Sequence, residues 1–123
     1  MKADDNMRKA GGRGEQIALQ YLIKKGYCLL RGNYTAPCGE IDLIVYNDKF
    51  LVFVEVKMRK NPDYGHPLEM VTAAKRKKIR KTAEHFLLGN PRSTLQPRFD
   101  VIALDAPGGG YEALEVIHIE NAF

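Results

Sequence analysis

The chain has 123 residues, 45% hydrophobic and 28% charged, a composition that suits one soluble globular domain over 1–123 and is too short for two. Its longest apolar runs fall far short of a membrane span, the start Met1-Lys2-Ala3-Asp4-Asp5-Asn6 lacks the apolar core of a signal peptide, and Cys28 and Cys38 match no metal-ligand spacing. A membrane partner, export and a zinc site are therefore not expected, and the two cysteines read as free thiols in a reducing cytoplasm. The net charge of +4 is modest but unevenly placed, because every residue from Lys75 to Lys81 except Ile79 is Lys or Arg.

Residues 1–10 are polar and are expected to fray, and Gly11-Gly12-Arg13-Gly14 is a flexible lead-in. A helix is predicted from Glu15 to a stop at Gly26. Ala18, Leu19 and Leu22 lie three, four and seven residues after Glu15, which puts Glu15 on the buried stripe near the helix start. Lys24 and Lys25 suit the last turn. An acid in a first turn also favours the helix dipole, and for Glu15 taken alone that explanation suffices.

Tyr27 to Arg31 reads as a short strand, Gly32-Asn33 and Ala36-Pro37-Cys38-Gly39 as loop, and Glu40 to Tyr46 as a second strand. Asn47-Asp48 reads as a tight turn into Phe50-Leu51-Val52-Phe53-Val54-Glu55-Val56-Lys57. Five unbroken apolar residues predict a strand buried on both faces. Side chains alternate across a strand, so Glu55 and Lys57 share one side, with Leu51 and Phe53 behind them. An acid and a base at the end of a core strand are costly unless paired, hydrated or bound to an ion.

With Asn47-Asp48 as the loop, Ile44 faces Leu51, Asp42 faces Phe53 and Glu40 faces Glu55. Asp42 and Glu55 become diagonal neighbours on one face, roughly 7–8 Å apart at the backbone, and their carboxylates can converge on one cation. A four-residue loop gives the same register, whereas a three-residue loop without a bulge turns Asp42 to the other face. After a loop from Met58 to Pro67, Thr72 is the expected N-cap of a helix over Ala73 to Leu88, with Ile79, Ala83 and Phe86 as its buried stripe. Lys75, four residues before Ile79, points inward, and the other basic residues fan out to solvent. Gly89-Asn90-Pro91 ends the helix. A strand over Arg98 to Leu104, a turn over Ala106 to Gly110 and an edge-like strand over Tyr111 to Glu120 complete an α/β domain, a mixed central β-sheet flanked by α-helices.

Glu15, Asp42, Glu55 and Lys57 form the candidate site. Oxygen donors without a His or Cys cluster suit Mg²⁺ or Mn²⁺, and Mg²⁺ commonly takes only one or two carboxylates. Such an ion can polarise a phosphodiester and lower the pKa of water, and Lys57 is placed to orient or help deprotonate that water. Lys75, Arg76 and Lys78 on the helix, with Arg59 and Lys60 after the key strand, are candidate phosphate contacts, because the run carries no interleaved acids for i,i+4 pairing. Separately, Glu55 and Lys57 read as a same-face ion pair, Asp42 as a turn brace and Glu40 as a solvated strand start. Together, helical and strand periodicities aim the four site residues at one locus.

Asp42, twelve intervening residues and Glu55-Val56-Lys57 resemble the PD-(D/E)xK pattern of restriction-endonuclease-like nucleases, with Ile41 where the pattern has Pro. Glu15 followed by Asp42 and the ExK unit is similar, in order and spacing, to archaeal Holliday-junction resolvases. Gly14-Glu15, Gly26-Tyr27, Gly39-Glu40-Ile41-Asp42-Leu43-Ile44, Phe53-Val54-Glu55-Val56-Lys57, Arg98-Phe99-Asp100-Val101 and Ala122-Phe123 resemble the YraN family over nearly the whole chain. The resemblance implies a restriction-endonuclease-like core and a metal-dependent nuclease acting on DNA, with structured or branched DNA in view. It makes Glu15, Asp42, Glu55 and Lys57 catalytic, the three acids metal ligands, Lys75 a contact to the scissile phosphate and Asp100 a structural residue. Resolvase-like enzymes work on two strands at once, which makes a homodimer attractive. The competing reading is a non-catalytic nucleic-acid-binding module or accessory subunit on the same fold.

Overall fold

The computed structural model describes residues 12–59, 65–90, 94–105 and 114–123. Its elements are α1 (Arg13–Lys24), β1 (Cys28–Ala36), β2 (Gly39–Tyr46), β3 (Phe50–Arg59), a 3₁₀ turn (Pro67–Met70), α2 (Ala73–Leu88), β4 (Gln96–Asp105) and β5 (Glu115–Ile119). The strands form one sheet in the order β1-β2-β3-β4-β5. β3 and β4 run parallel, joined through α2, and the other neighbours are antiparallel. This mixed sheet with two helices is an α/β fold consistent with a restriction-endonuclease-like core. The expected fraying of residues 1–10, Lys60, and the glycine-rich turn before Tyr111 lie outside the described residues.

Local chemistry explains the boundaries. α1 ends where Gly26 takes φ +99°, with Tyr27 N–H donating to Leu22 O and Gly26 N–H to Ile23 O, both at 3.0 Å. That is a Schellman closure, which an L side chain at Gly26 would strain. α2 starts on Thr72, whose hydroxyl accepts from Lys75 N–H at 3.2 Å.

β1 corrects one expectation. Gly32-Asn33 does not break the strand; a bulge at Leu30 and Asn33 at φ +46° carry it on to Ala36. β1 and β2 are therefore a hairpin turning on Pro37-Cys38, with Ala36 opposite Gly39. Gly39 has φ +152°, and a Cβ there would stand 3.0 Å from the Thr82 hydroxyl on α2. Gly39→Ala is expected to cost about 1–2 kcal/mol in a urea titration, from backbone strain and the displaced helix contact.

The sheet is buried on both faces. α1 sets Ala18, Leu19 and Leu22 on Leu43, Val45, Val52, Val54, Ile102 and Leu104. α2 sets Ile79, Ala83 and Phe86 on Ile44, Leu51, Phe53 and Val101. β3 is thus a two-faced core strand, with Leu51, Val52, Phe53 and Val54 each at most 1% exposed. Phe123 stacks on Phe99 and seals the α2 side. Among the described residues no helix is long and apolar enough to cross a membrane.

Candidate active site

The site lies where the sheet splits. β2 stays paired with β1 to its first residue, but it leaves β3 after Leu43–Val54. Asp42 and Glu55 are the next residue on each strand. The expected register is corrected here: four residues, Asn47 to Phe50, separate the last facing pair, Tyr46 and Leu51, and a loop of four keeps the face but not the expected pairing. Asn47 Oδ1 closes that turn by accepting from the N–H groups of Lys49 and Phe50. Ile44 now faces Phe53 instead of Leu51. The even shift keeps Asp42, Glu55 and Lys57 on one face, the α2 face, and brings Asp42 beside Glu55 instead of diagonal to it. Where the ladder stops, Val56 N–H donates to Asp42 Oδ2 at 2.8 Å.

With one of them protonated, the two carboxyl groups can share a hydrogen bond. Burial, then that bond and the Glu55 charge, push Asp42 up to about 8, against the pull of Val56 N–H. Glu55 moves the other way. Burial favours its neutral form, but the bond with Asp42, the ion pair with Lys75 and the charge of Lys57 outweigh it. Glu55 is 5% exposed, and its Oε2 faces Lys75 Nζ at 2.5 Å and Lys57 Nζ at 3.7 Å. Burial and then Lys75 lower the Lys57 ammonium, despite Glu55. Beside the acid pair a cavity of about 360 Å³ opens, lined by Gly39, Glu40, Asp42, Glu55, Lys75 and Lys78 among others. A larger cavity of about 500 Å³ on the outer side of α1 is lined by no carboxylate and lies away from this chemistry.

Glu15 reaches the same region from the helix on the opposite face. Burial raises its carboxyl, a hydrogen bond with Asn33 opposes that, and the charges of Glu40 and Glu55 add to it. Its Oε2 is buried without a hydrogen-bond partner. Among the described residues no three His, Cys, Asp or Glu side chains cluster tightly enough to hold a metal ion. Glu15 is therefore an electrostatic neighbour of the Asp42–Glu55 pair and not a third member of one tight cluster. Two adjacent carboxylates, with a third buried oxygen lacking a donor, still fit a hard cation that takes one or two carboxylates and water.

The basic residues divide. Lys75 points inward as expected, and Lys78 is exposed at the cavity. Arg59 corrects the expectation of a phosphate contact. It is 6% exposed, its Nε and Nη2 donate to Asp105 at 2.6 and 2.8 Å, and its Nη1 donates to Gly65 O at 2.6 Å. Arg76 is likewise half-buried, donating from Nε to Val71 O and from Nη2 to Leu68 O, with its guanidinium over the Phe123 ring. Both are braces for neighbouring segments, whereas Lys77, Arg80 and Lys81 are exposed. Asn33, the partner of Glu15, is hidden in the sequence because Gly32-Asn33 reads as loop punctuation; its tolerance of positive φ is the one signal the sequence carries.

The family model described as "Uncharacterised protein family UPF0102" matches residues 14–104. A UPF0102 protein of Prosthecochloris aestuarii is 44% identical over 116 residues, spanning 92% of this chain and 91% of the relative. One from Chloroherpeton thalassium is 42% identical over 118 residues, spanning 92% of each. Another, from Caldanaerobacter subterraneus subsp. tengcongensis, is 42% identical over 118 residues, spanning 96% of this chain and 97% of the relative.

Proposed function

This chain belongs to the uncharacterised protein family UPF0102, and we propose that it is a metal-dependent nuclease hydrolysing phosphodiester bonds in DNA. One observation carries the reading: Asp42 and Glu55, two largely buried carboxyl groups, stand side by side at a break in the sheet, with Lys57 and Lys75 on the same oxygen. Adjacent buried acids are costly, and a divalent cation is the ligand that relieves the cost.

Asp42 and Glu55 would hold Mg²⁺ or Mn²⁺, with Glu15 adding negative charge beside them. When bound, the ion would supply Lewis acidity to polarise the phosphodiester. Lys57, held on the core strand with its ammonium destabilised by burial, is suited to orient the attacking water and to carry a proton at Nζ. Exposed Lys78, Lys77 and Lys81 offer sequence-blind phosphate contacts along α2. The non-catalytic binding module is favoured by one feature, that Lys75 already neutralises Glu55.

Purified protein with Mg²⁺ or Mn²⁺ is expected to cut at least one substrate among linear, forked and four-way DNA, leaving 5′-phosphate ends. Glu55→Gln should lower the rate on the order of 10³-fold, about 4 kcal/mol of barrier. A panel left intact with both metals sinks the enzyme reading. Salt-sensitive DNA binding that survives Asp42→Ala and Glu55→Ala, without cleavage, would favour the binding module.

A further inference from the structure

Two ammonium groups converge on Oε2 of Glu55, and they are held very differently. Lys57 rises from β3 two residues beyond Glu55, with its side chain 22% exposed. Lys75 comes across from the first turn of α2, and its side chain is 43% exposed although its Nζ makes the closer contact, 2.5 Å. Its backbone is fixed, since its N–H is the group the Thr72 hydroxyl caps. The arrangement is a rigid base bearing a four-carbon stem whose charged head is the mobile part. From that base the stem lines the cavity that Lys78 also lines, three residues on along α2.

A divalent cation on the Asp42–Glu55 pair adds two positive charges beside both lysines. At separations of a few ångströms that repulsion is worth kilocalories even at high effective dielectric, so one ammonium must give way. Lys57 has less room, its side chain being 22% exposed against 43% for Lys75. Lys75 can retreat along the cavity toward Lys78, where two ammonium groups together suit a phosphate. Resting on the metal-nuclease reading above, we infer that Lys75 is a tethered counter-ion that occupies Glu55 until a divalent cation replaces it, and that its release to a phosphate makes metal and nucleic-acid binding cooperative. Coupling of this kind is reciprocal, so each ligand tightens the other by the same factor.

The test is Mn²⁺ binding by the full chain, followed by the electron paramagnetic resonance signal of free Mn²⁺, without nucleic acid. Lys75→Met is expected to bind Mn²⁺ on the order of tenfold more tightly than the parent. Lys75→Gln should do the same, and Arg80→Met, at an exposed α2 residue that neither lines the cavity nor touches Glu55, should change the affinity by less than about threefold. With a hydrolysis-resistant phosphorothioate duplex, Mn²⁺ should tighten DNA binding by the parent, and this enhancement should vanish in Lys75→Met. Parent-like or weaker Mn²⁺ binding by both Lys75 variants overturns the counter-ion role while leaving the metal site standing. An equal gain from Arg80→Met reduces the effect to general charge and also overturns it. Absence of Mn²⁺ binding in every variant overturns the counter-ion role and the metal site together.

Discussion

Asp42→Asn is expected to make the metal-free protein more stable, by about 2–4 kcal/mol at pH 8, while abolishing divalent-cation binding and cleavage. The Asp42 carboxyl titrates near 3.8 in the unfolded chain and at about 8 in the fold. A raised folded pKa means the folded state holds a proton that the unfolded state has released. Its stabilising contribution is therefore complete below the unfolded value and is lost as pH rises toward about 8. Each unit is about 1.36 kcal/mol, which sets a ceiling of roughly 5 kcal/mol, and hydration from the adjoining cavity lowers the expected gain. Asn mimics protonated Asp42: it can still accept from Val56 N–H and donate to Glu55, and it never ionises. Glu55, whose folded pKa is lowered, loses its contribution only as pH falls below the usual carboxylate range, outside this window. Thermal melts of the two proteins from pH 4 to 9 should coincide at the acid end and separate by roughly 10 °C at pH 8. Parallel curves throughout would mean that Asp42 is not held protonated by the fold.

The same pair illustrates what the residue pattern could carry. Strand periodicity is two, so any even loop keeps Asp42 and Glu55 on one face; this much was readable, and it holds. Which residue faces which depends on where the Asn47 side chain closes the turn, a local geometry that residue names do not determine. The α2 boundaries were readable for a related reason, because the Thr72 cap and the buried Ile79, Ala83 and Phe86 are short-range signals. β1 was cut short because Gly32-Asn33 carries turn chemistry, yet bulge geometry uses the same backbone freedom inside a strand. Arg59 and Arg76 find buried acceptors that the charge run does not reveal. Asp105 is 46 residues from Arg59, and the carbonyls that hold Arg76 are those of Leu68, in the 3₁₀ turn just before α2, and of Val71, which follows it. A charge run tells nothing about which of its members finds a buried acceptor.

Asp100→Ala is expected to cost about 3–5 kcal/mol, the largest loss among these substitutions, without weakening metal binding by the folded protein. Asp100 is fully buried and takes Arg98 Nε at 2.9 Å and Nη2 at 2.8 Å, His118 Nε2 at 2.7 Å and Asn121 N–H at 3.0 Å. Lys25 Nζ lies 3.1 Å from His118 Nδ1, so that nitrogen accepts and Nε2 carries the proton donated to Asp100. Arg98 in turn donates to the Tyr27 hydroxyl at 2.6 Å and lies over the Phe50 ring at 4.6 Å. This knot ties the end of α1 to β4, β5 and the C-terminal turn. Truncation leaves the Arg98 guanidinium, 8% exposed, with the half-exposed Glu120 carboxylate 3.8 Å away as its remaining ion pair, and the cost comes from that poorly compensated charge more than from the lost bonds. Burial alone would raise Asp100, but His118, Arg98 and Asn121 N–H outweigh it and hold its carboxyl low. A depressed folded pKa contributes stability above the unfolded value that disappears as pH falls through the folded one, so the deficit of Asp100→Ala should shrink in strong acid. Asp100 pairs with Val54 and shares the α1 side of the sheet, away from the Asp42–Glu55 face. Urea titrations at pH 7 and pH 3, with Mn²⁺ binding measured on the folded variant at 10 °C, separate the outcomes. A loss below about 1 kcal/mol refutes the structural role, whereas near-normal Mn²⁺ affinity with a large loss of stability places Asp100 in the scaffold and outside the chemistry.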